Sequence, residues 1–501
     1  MALAVPGTLF CMLVSAGNLS PGDDISDSAS TPLQNNLQRN GTDQWGTGEH
    51  RSFLVPALDI TAFELLLNRV DHFEDAKTYP FQTTNFRNNL HRSWVVDDDK
   101  FSTNQFLHPY AGATYQGFAR SAGLNFWQAS AYTFAGSLAW EEAGENTAPS
   151  INDQIATGIG GNFLGEPLFR IASLLLERDA DDPRWWRELA AGIISPPTAF
   201  NRLAFGDRFA PVFDSNDPAL FTRIDVSANA YTHYTSDINV NADPSAPPAN
   251  QTLQRANAEG DFTLAYGLPG RPGYGYDRPF DYFDLDLGLD NATGVESVFS
   301  RGLLYGTDYA GGRNYRGIWG VYGLYDYVAP NIFRVSSVAG ALGTTGQWWL
   351  SRRVALQDTA LLGVGYAAGG VIHGAGVAPA GPLGEGLRNY HYGVAPESLV
   401  ALRLIFANRA AVDATARGYY ISRLGATEST GSELIERVDL ALTLRVYRHN
   451  GIFVRYRVSN RDGRYIGEPT SHQRVAILNI GYTFLGEDDF GAVDWRGAGT
   501  Q

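Results

Sequence analysis

Through the second half of the sequence, apolar and polar residues alternate one by one. This is the period of a β-strand, whose side chains switch faces at each residue. The clearest run spans 434 to 447. Val438, Leu440, Leu442, Leu444 and Val446 fall on one face, and Arg437, Asp439, Thr443 and Arg445 on the other. His449-Asn450-Gly451 then supplies a tight turn, because Asn-Gly accepts the positive φ of a hairpin loop. The next run sets Ile452, Val454, Tyr456 and Val458 against Phe453, Arg455, Arg457 and Ser459. Earlier runs behave alike, with Ile224, Val226, Ala228 and Ala230 against Arg223, Asp225, Ser227 and Asn229.

About twelve such runs can be counted, near 221–234, 261–267, 281–290, 296–310, 317–329, 333–350, 353–371, 390–406, 410–422, 433–448, 452–460 and 473–485. An even number suits a single-chain bacterial barrel. Many of the runs are longer than the roughly 5 or 6 residues of a sandwich strand. Their polar face carries both signs of charge. Aromatic residues gather near strand ends, as in Trp348-Trp349, Tyr419-Tyr420 and Tyr482 with Phe484. These features predict an antiparallel transmembrane β-barrel over 220–485 rather than a soluble sandwich. A narrow bore lined by Arg437, Asp439, Arg445, Arg455 and Arg457 is expected to be filled by ion pairs or by another domain. Outer-membrane barrels usually end on an aromatic residue. Here Phe484 is followed by a tail, 485–501, so that signal would be internal.

Residues 52–210 have a different character, and the expected fold class is α+β, a small all-helical domain ahead of the barrel. Helices are predicted over 57–73, with Leu65, Leu66, Leu67 and Val70 as the apolar side, and from Thr103-Asn104 toward Gly123. Another runs from Asn125 to about Glu142, broken by Gly144. A further helix has Ser150 as N-cap and Asp153 at its third position. Gly158, Gly160, Gly161 and Gly165 crowd the stretch after it and imply close helix packing. A short helix over 184–194, with Trp185 and Trp186 beside arginines, suits a membrane interface or an ordinary surface helix. In the first 51 residues, Leu9 to Val14 and the small residues Ser15-Ala16-Gly17 read either as a remnant of a signal peptide or as a tail. A polar linker comes next.

Composition sharpens this picture in three ways. A mean hydropathy of -0.20 fits a barrel, because only alternate strand residues face lipid. The net charge of -15 argues against a nucleic-acid partner. A single cysteine, Cys11, rules out an intrachain disulfide or a cysteine metal site.

Candidate chemistry concentrates in the helical region. His108, Glu141, Glu145 and Asp153, with Asn152, are polar residues among apolar helices. If they converge, one histidine and several carboxyls suffice for general acid–base catalysis or a divalent metal. The same groups can equally satisfy one another as a structural network, with Glu166 pairing Arg170 at i,i+4. No G-x-S-x-G elbow or His-Glu-x-x-His pair is present, and no motif names a cofactor or a metal. His233, His373, His391, His449 and His472 are scattered through the barrel region.

Longer patterns carry a resemblance. Trp94-Val95-Val96-Asp97-Asp98-Asp99, Thr103-Asn104-Gln105-Phe106-Leu107-His108-Pro109-Tyr110, Gly136-Ser137-Leu138-Ala139-Trp140-Glu141, Pro149-Ser150-Ile151-Asn152-Asp153 and Gly160-Gly161-Asn162-Phe163-Leu164-Gly165-Glu166 resemble the bacterial family known as domain of unknown function 3943. The likeness covers about 90 to 150 and extends to about 206. It implies an envelope protein of Gram-negative-type bacteria. A remoter similarity, to a VanZ-like helical arrangement, rests on His108, Glu141, Ser150 and Asp153. The expectation is an outer-membrane barrel with a structural, binding or transport role in the envelope, its helical domain in the periplasm or plugging the lumen. Its expected partners are outer-membrane lipid and the barrel assembly machinery. The alternative is an enzyme acting on lipid or lipopolysaccharide through His108, Glu141, Glu145 and Asp153.

Overall fold

The computed structural model describes residues 50–76, 78–79, 84–97, 99–177, 185–236, 256–291, 294–330, 333–371, 390–424, 431–465, 470–487 and 489–496. The proposed signal remnant and most of the linker, Pro183 and Arg184, His373 and the end of the tail lie outside the described residues. Two compact units emerge. One comprises the chain up to Asp97 with Leu107–Asn216, the other Asp98–Phe106 with the chain from Asp217.

The second unit is a closed antiparallel barrel of β1 (Leu220–Ser236), β2 (Ala256–Tyr266), β3 (Phe283–Asp290), β4 (Gly294–Gly311), β5 (Tyr315–Val328) and β6 (Phe333–Trp349). It continues with β7 (Val354–Val371), β8 (Tyr390–Phe406), β9 (Ala410–Ile421), β10 (Gly431–Tyr447), β11 (Asn450–Tyr465) and β12 (Ser471–Leu485). Each strand pairs with its neighbours in sequence, and β1 closes the ring on β12, with Ile224 opposite Phe484. All twelve predicted runs are strands.

The alternation sorts cleanly onto the two faces. Val438, Leu440, Leu442, Ile452, Val454 and Ile480 stand exposed on the outside, while Arg437, Arg455, Arg457 and Asn479 are buried inside. Trp348, Tyr447 and Tyr482 are exposed near the end of the barrel where β1 begins and β12 finishes, here the near end. A closed ring with an apolar outer face and a polar inner one is the architecture of a transmembrane β-barrel. Closure leaves no unpaired edge, and only alternate residues meet lipid.

The bore is a packed core in layers. At the far end, Phe299, Val328, Phe333, Val335, Ile435 and Ile477 belong to one buried apolar cluster. Midway, arginines and carboxylates form a belt. At the near end, the segment after β12 folds back: Phe490 is buried against Phe221 of β1, Ala355 of β7 and Ile405 of β8. The Val493 carbonyl accepts from Gln347 Nε2 at 2.7 Å and Trp349 Nε1 at 2.9 Å, and its amide donates to Gln347 Oε1 at 3.0 Å. Trp495 donates to the Arg313 carbonyl at 3.1 Å. The tail therefore runs from the end of β12 to β6, which lies six places away around the ring.

Residues 99–106 belong to the barrel's unit and lie on its outer wall. Asn104 Nδ2 donates to the Tyr390 hydroxyl at 3.0 Å, Gln105 Nε2 to that of Tyr392 at 2.7 Å, and Tyr325 donates to the Gln105 carbonyl at 2.6 Å. Tyr325 shares its strand face with exposed Trp319 and Val321, and Tyr390 and Tyr392 share theirs with exposed Val400 and Leu402. These tyrosines point outward and are buried because this segment covers them.

The other unit is helical: α1 (Leu54–Glu74), α2 (Thr84–Asn89), α3 (His108–Ser121), α4 (Phe126–Ala139), α5 (Ile151–Ile155), α6 (Gly161–Glu177), α7 (Trp185–Ile194) and α8 (Pro196–Phe205). Asn125 caps α4 with a reciprocal bond to Gln128, a capping box. The predicted glycines do bring helices together. A Cβ on Gly161 would lie 2.5 Å from the Gly112 Cα, so α3 and α6 touch backbone to backbone there.

Candidate functional site

The four candidates do converge, within the helical unit. A π-helical turn, Thr103–Leu107, runs directly into α3 and sets His108 at its first position. After α4 the chain widens into a second π-helical turn, Trp140–Gly144, which buries Glu141. That turn ends the helix where the sequence placed its break. The helix does not continue past Gly144, because Glu145 is already extended at φ -124° and ψ 159°. Glu141 and Glu145 therefore do not share a helical face, although they remain electrically coupled.

Ser150 caps α5 as its position predicts, its hydroxyl accepting from the Asp153 amide at 3.2 Å. The Ser150 amide donates to Glu141 Oε2 at 2.7 Å. Asp153 Oδ1 lies 3.9 Å from His108 Nε2 and accepts from Asn152 Nδ2 at 2.9 Å. His108 Nδ1 is 3.2 Å from the Thr157 hydroxyl. Glu145 accepts from Trp140 Nε1 and from the Thr147 hydroxyl, each at 2.7 Å. A parallel bridge between Val95 and Ser150 adds the stretch before α3, and the Asp97 amide donates to Asn152 Oδ1 at 2.8 Å.

Crowding buried carboxyls disfavours charge. Burial, and then the charges of Asp153 and Glu145, push Glu141 up to about 10, against a partial lowering by the Ser150 amide. Burial also raises Glu145, while Thr147, His108 and Trp140 hold it down in part. Glu141 is thus a neutral acid at physiological pH. The repulsion is relieved by a proton, and among the described residues no group of three or more His, Cys, Asp or Glu side chains is arranged to hold a metal ion. The His108–Asp153 separation is an ion-pair distance, longer than a hydrogen bond. In chemical terms the cluster offers one base and a neutral acid. In structural terms it fastens α3, α5 and the turn after α4 together.

A second buried centre sits between α3 and α6. Glu166 accepts from Arg120 Nε at 2.7 Å and from Arg170 Nε at 2.9 Å, all three side chains being buried. Phe213 lies under both guanidiniums. The i,i+4 pair was readable in sequence. Arg120 was not, because nothing local marks a partner 46 residues away.

The barrel's interior supplies a third polar centre. Arg455 bonds Asp225 at 2.6 Å and Asp261 at 2.7 Å. Arg457 reaches Glu259 at 3.0 Å and Asp439 at 2.8 Å. Arg437 reaches Asp439 and Glu296, both at 3.1 Å. Glu296 sits where the β3–β4 register shifts, and that bulge turns its side chain into the bore. Arg417 lies 3.7 Å above the Phe299 ring. Beside this belt lies a cavity of about 100 Å³ bordered by Arg223, Asp261, Asp286 and Arg417.

Residues 93–197 match the model of a domain of unknown function, DUF3943, a stretch that holds the acidic cluster and the Arg120–Glu166–Arg170 triad. The VanZ-like pattern has no counterpart among these comparisons. No curated protein matches the sequence. Among solved structures, the outer-membrane channel DcaP of Acinetobacter baumannii is 8% identical, covering 53% of this chain and 96% of its own, with a TM-score of 0.24. The translocator domain of the autotransporter NalP from Neisseria meningitidis is 12% identical over 54% of this chain and 90% of its own, at 0.23. The TodX monoaromatic hydrocarbon channel is 10% identical over 59% and 94%, also at 0.23. Such low TM-scores carry nothing about function to this chain.

Proposed function

We propose that this protein is a non-conducting barrel of the bacterial outer membrane, with a structural or binding role in the envelope. The observation that carries the reading is the pairing of an apolar outer wall with a bore spanned by its own ion pairs, Arg437 to Glu296 above all. A wide pore needs an open aqueous channel, whereas this bore is filled by side chains and needs no separate plug. Lipid is the partner of the outer wall, and the assembly machinery that inserts such barrels is the partner during biogenesis. The test is to locate the chain by membrane fractionation and to reconstitute it in planar bilayers. The expected result is an outer-membrane protein that gives no steady conductance, and a stable open current would overturn the reading.

A second reading makes the helical unit an enzyme on lipid or lipopolysaccharide. It is favoured by the neutral acid Glu141 held beside the His108–Asp153 pair, with Glu145 as the fourth member. His108 would act as base, oriented by Asp153, and Glu141 as proton donor. Envelope lipid profiles decide it: cells carrying His108→Ala or Asp153→Ala protein should resemble cells lacking the chain. Profiles matching the wild type, with both variants folded, leave the cluster a purely structural role.

A further inference from the structure

The helical unit carries large apolar side chains on its surface as well as in its core. Soluble helices turn an apolar stripe to the core and a polar face to solvent. In α1, Leu54, Leu58, Leu65, Leu66 and Phe73 stand outward at helical spacing, beside exposed Thr61, Ala62 and Arg69, and Phe73 is 88% exposed. The side turned inward carries Val55 and Ile60 together with Asp59 and Asn68, and the Asn68 Nδ2 donates to the Gly144 carbonyl at 2.7 Å. Of the predicted apolar side of this helix, Leu65 and Leu66 stand outward, while Leu67 and Val70 are half-buried. In α4, Trp127, Phe134 and Leu138 are exposed, while Thr133 and Ser137 are buried and Thr133 donates to Gln116 Oε1 at 3.2 Å. Trp185 of α7 and Leu203 of α8 are 76% and 86% exposed. Inside lie Gln116, Arg120, Glu166 and Arg170, none more than 2% exposed.

We infer that the outer faces of α1, α4, α7 and α8 are covered by lipid, with the helical unit lying in the interfacial layer of a bilayer. Four observations select lipid over a protein partner. The exposed apolar residues are spread over four helices, whereas a standard protein interface covers one patch of about 800 Å² per partner. The interior charges are paired with each other, as ionisable groups within a membrane must be. No described helix is long and apolar enough to cross a bilayer, which leaves the interfacial arrangement. Finally, the chain leading into α3, residues 99–106, packs on Tyr325, Tyr390 and Tyr392 of the barrel's outward wall, the surface that the proposed function already gives to lipid.

The inference rests on that barrel reading, and one experiment tests the two separately. In the full chain with Cys11→Ser, single variants Leu66→Cys, Phe134→Cys and Leu203→Cys are spin-labelled in proteoliposomes. Leu440→Cys on the barrel wall and Asn314→Cys in the β4–β5 turn serve as standards. Collision with lipid-soluble oxygen is compared with collision with a water-soluble nickel chelate. The three helical labels should favour oxygen, as Leu440→Cys does, while Asn314→Cys favours nickel. Helical labels that favour nickel, or that neither reagent reaches, overturn the inference while leaving the barrel in its bilayer. A Leu440→Cys label that favours nickel overturns both.

Discussion

Arg437 of β10 and Glu296 of β4 meet at 3.1 Å although their strands lie six places apart in a ring of twelve. They hold diametrically opposite walls together through the bore. Glu296 also lies 3.6 Å from Arg457 Nη1, so the bond is one link of a network.

Removing a member of that network leaves buried charge without compensation. Arg457→Ala strips Glu259 and Asp439 of their closest guanidinium and should cost about 3–5 kcal/mol, read as a lower urea midpoint for barrel unfolding in detergent. Arg457→Lys should recover only part of it, because an ammonium cannot reproduce the guanidinium fork. An unchanged midpoint in Arg457→Ala would mean that the belt does not bear on stability.

The backbone contact of α3 with α6 should tolerate no side chain. A Cβ at Gly112 would sit 2.9 Å from the Gly161 Cα of α6 and 2.1 Å from the Thr157 carbonyl oxygen in the turn before it. Gly112→Ala should therefore destabilise the helical unit by about 1–3 kcal/mol or more, despite alanine's better helix propensity. Faster hydrogen exchange in α3 and α6, with barrel strands unaffected, is the expected signature.

The helical unit should weaken as pH rises. Burial pushes Glu64 up to about 8 from its ordinary 4.5, against a partial lowering by Tyr115. The folded state thus holds this proton more tightly than the unfolded state. The stability it confers is fully present below pH 4.5 and is lost as pH climbs to about 8. Glu64→Gln should flatten that slope and leave α1 more protected at pH 8, by about 1–3 kcal/mol after allowance for partial solvent screening. Glu166 has the opposite sign, since Arg120 and Arg170 outweigh its burial and hold it below 4.5. Its contribution persists at high pH and is lost on acidification through its lowered folded-state value. Exchange protection of α1 measured at pH 5 and pH 8 checks the first claim.

The tail should detach when its reciprocal bonds go. Gln347→Ala removes both the donor to the Val493 carbonyl and the acceptor for its amide. Exchange at 489–496 should rise while bilayer recordings remain silent, because the far-end cluster and the ion belt still fill the bore. Current appearing in this variant would identify the tail as the barrier.

Much of this was legible in the sequence, for a physical reason. A barrel meets lipid outside and polar groups inside, so Leu440 and Asp439 announce their faces by type alone. The places of His108 and Asp153 at helix starts were also legible, because such signals are local, but their approach to each other stood only as a condition. What stayed hidden depends on partners distant in sequence. Arg437 gives no sign that Glu296 will meet it, since the bulge at β4 sets that geometry. The π-helical turn at Trp140–Gly144 changed how Glu141 and Glu145 relate, and no residue type marks it. In α1, periodicity marked Leu65, Leu66, Leu67 and Val70 as one side without saying that Leu65 and Leu66 stand outward, because a 3.6-residue repeat does not record which solvent a side meets.

The pocket for Phe490 is made from Phe221 on the first strand and from Ala355, Ile405 and Ala411 on strands across the ring. It has no existence in an open sheet. During biogenesis the tail can find its seat only after β1 has met β12, so its docking records that the cylinder has shut. The seat of Phe490, Val493 and Trp495 thus belongs to the shut cylinder alone, and these residues should undock whenever β1 and β12 part.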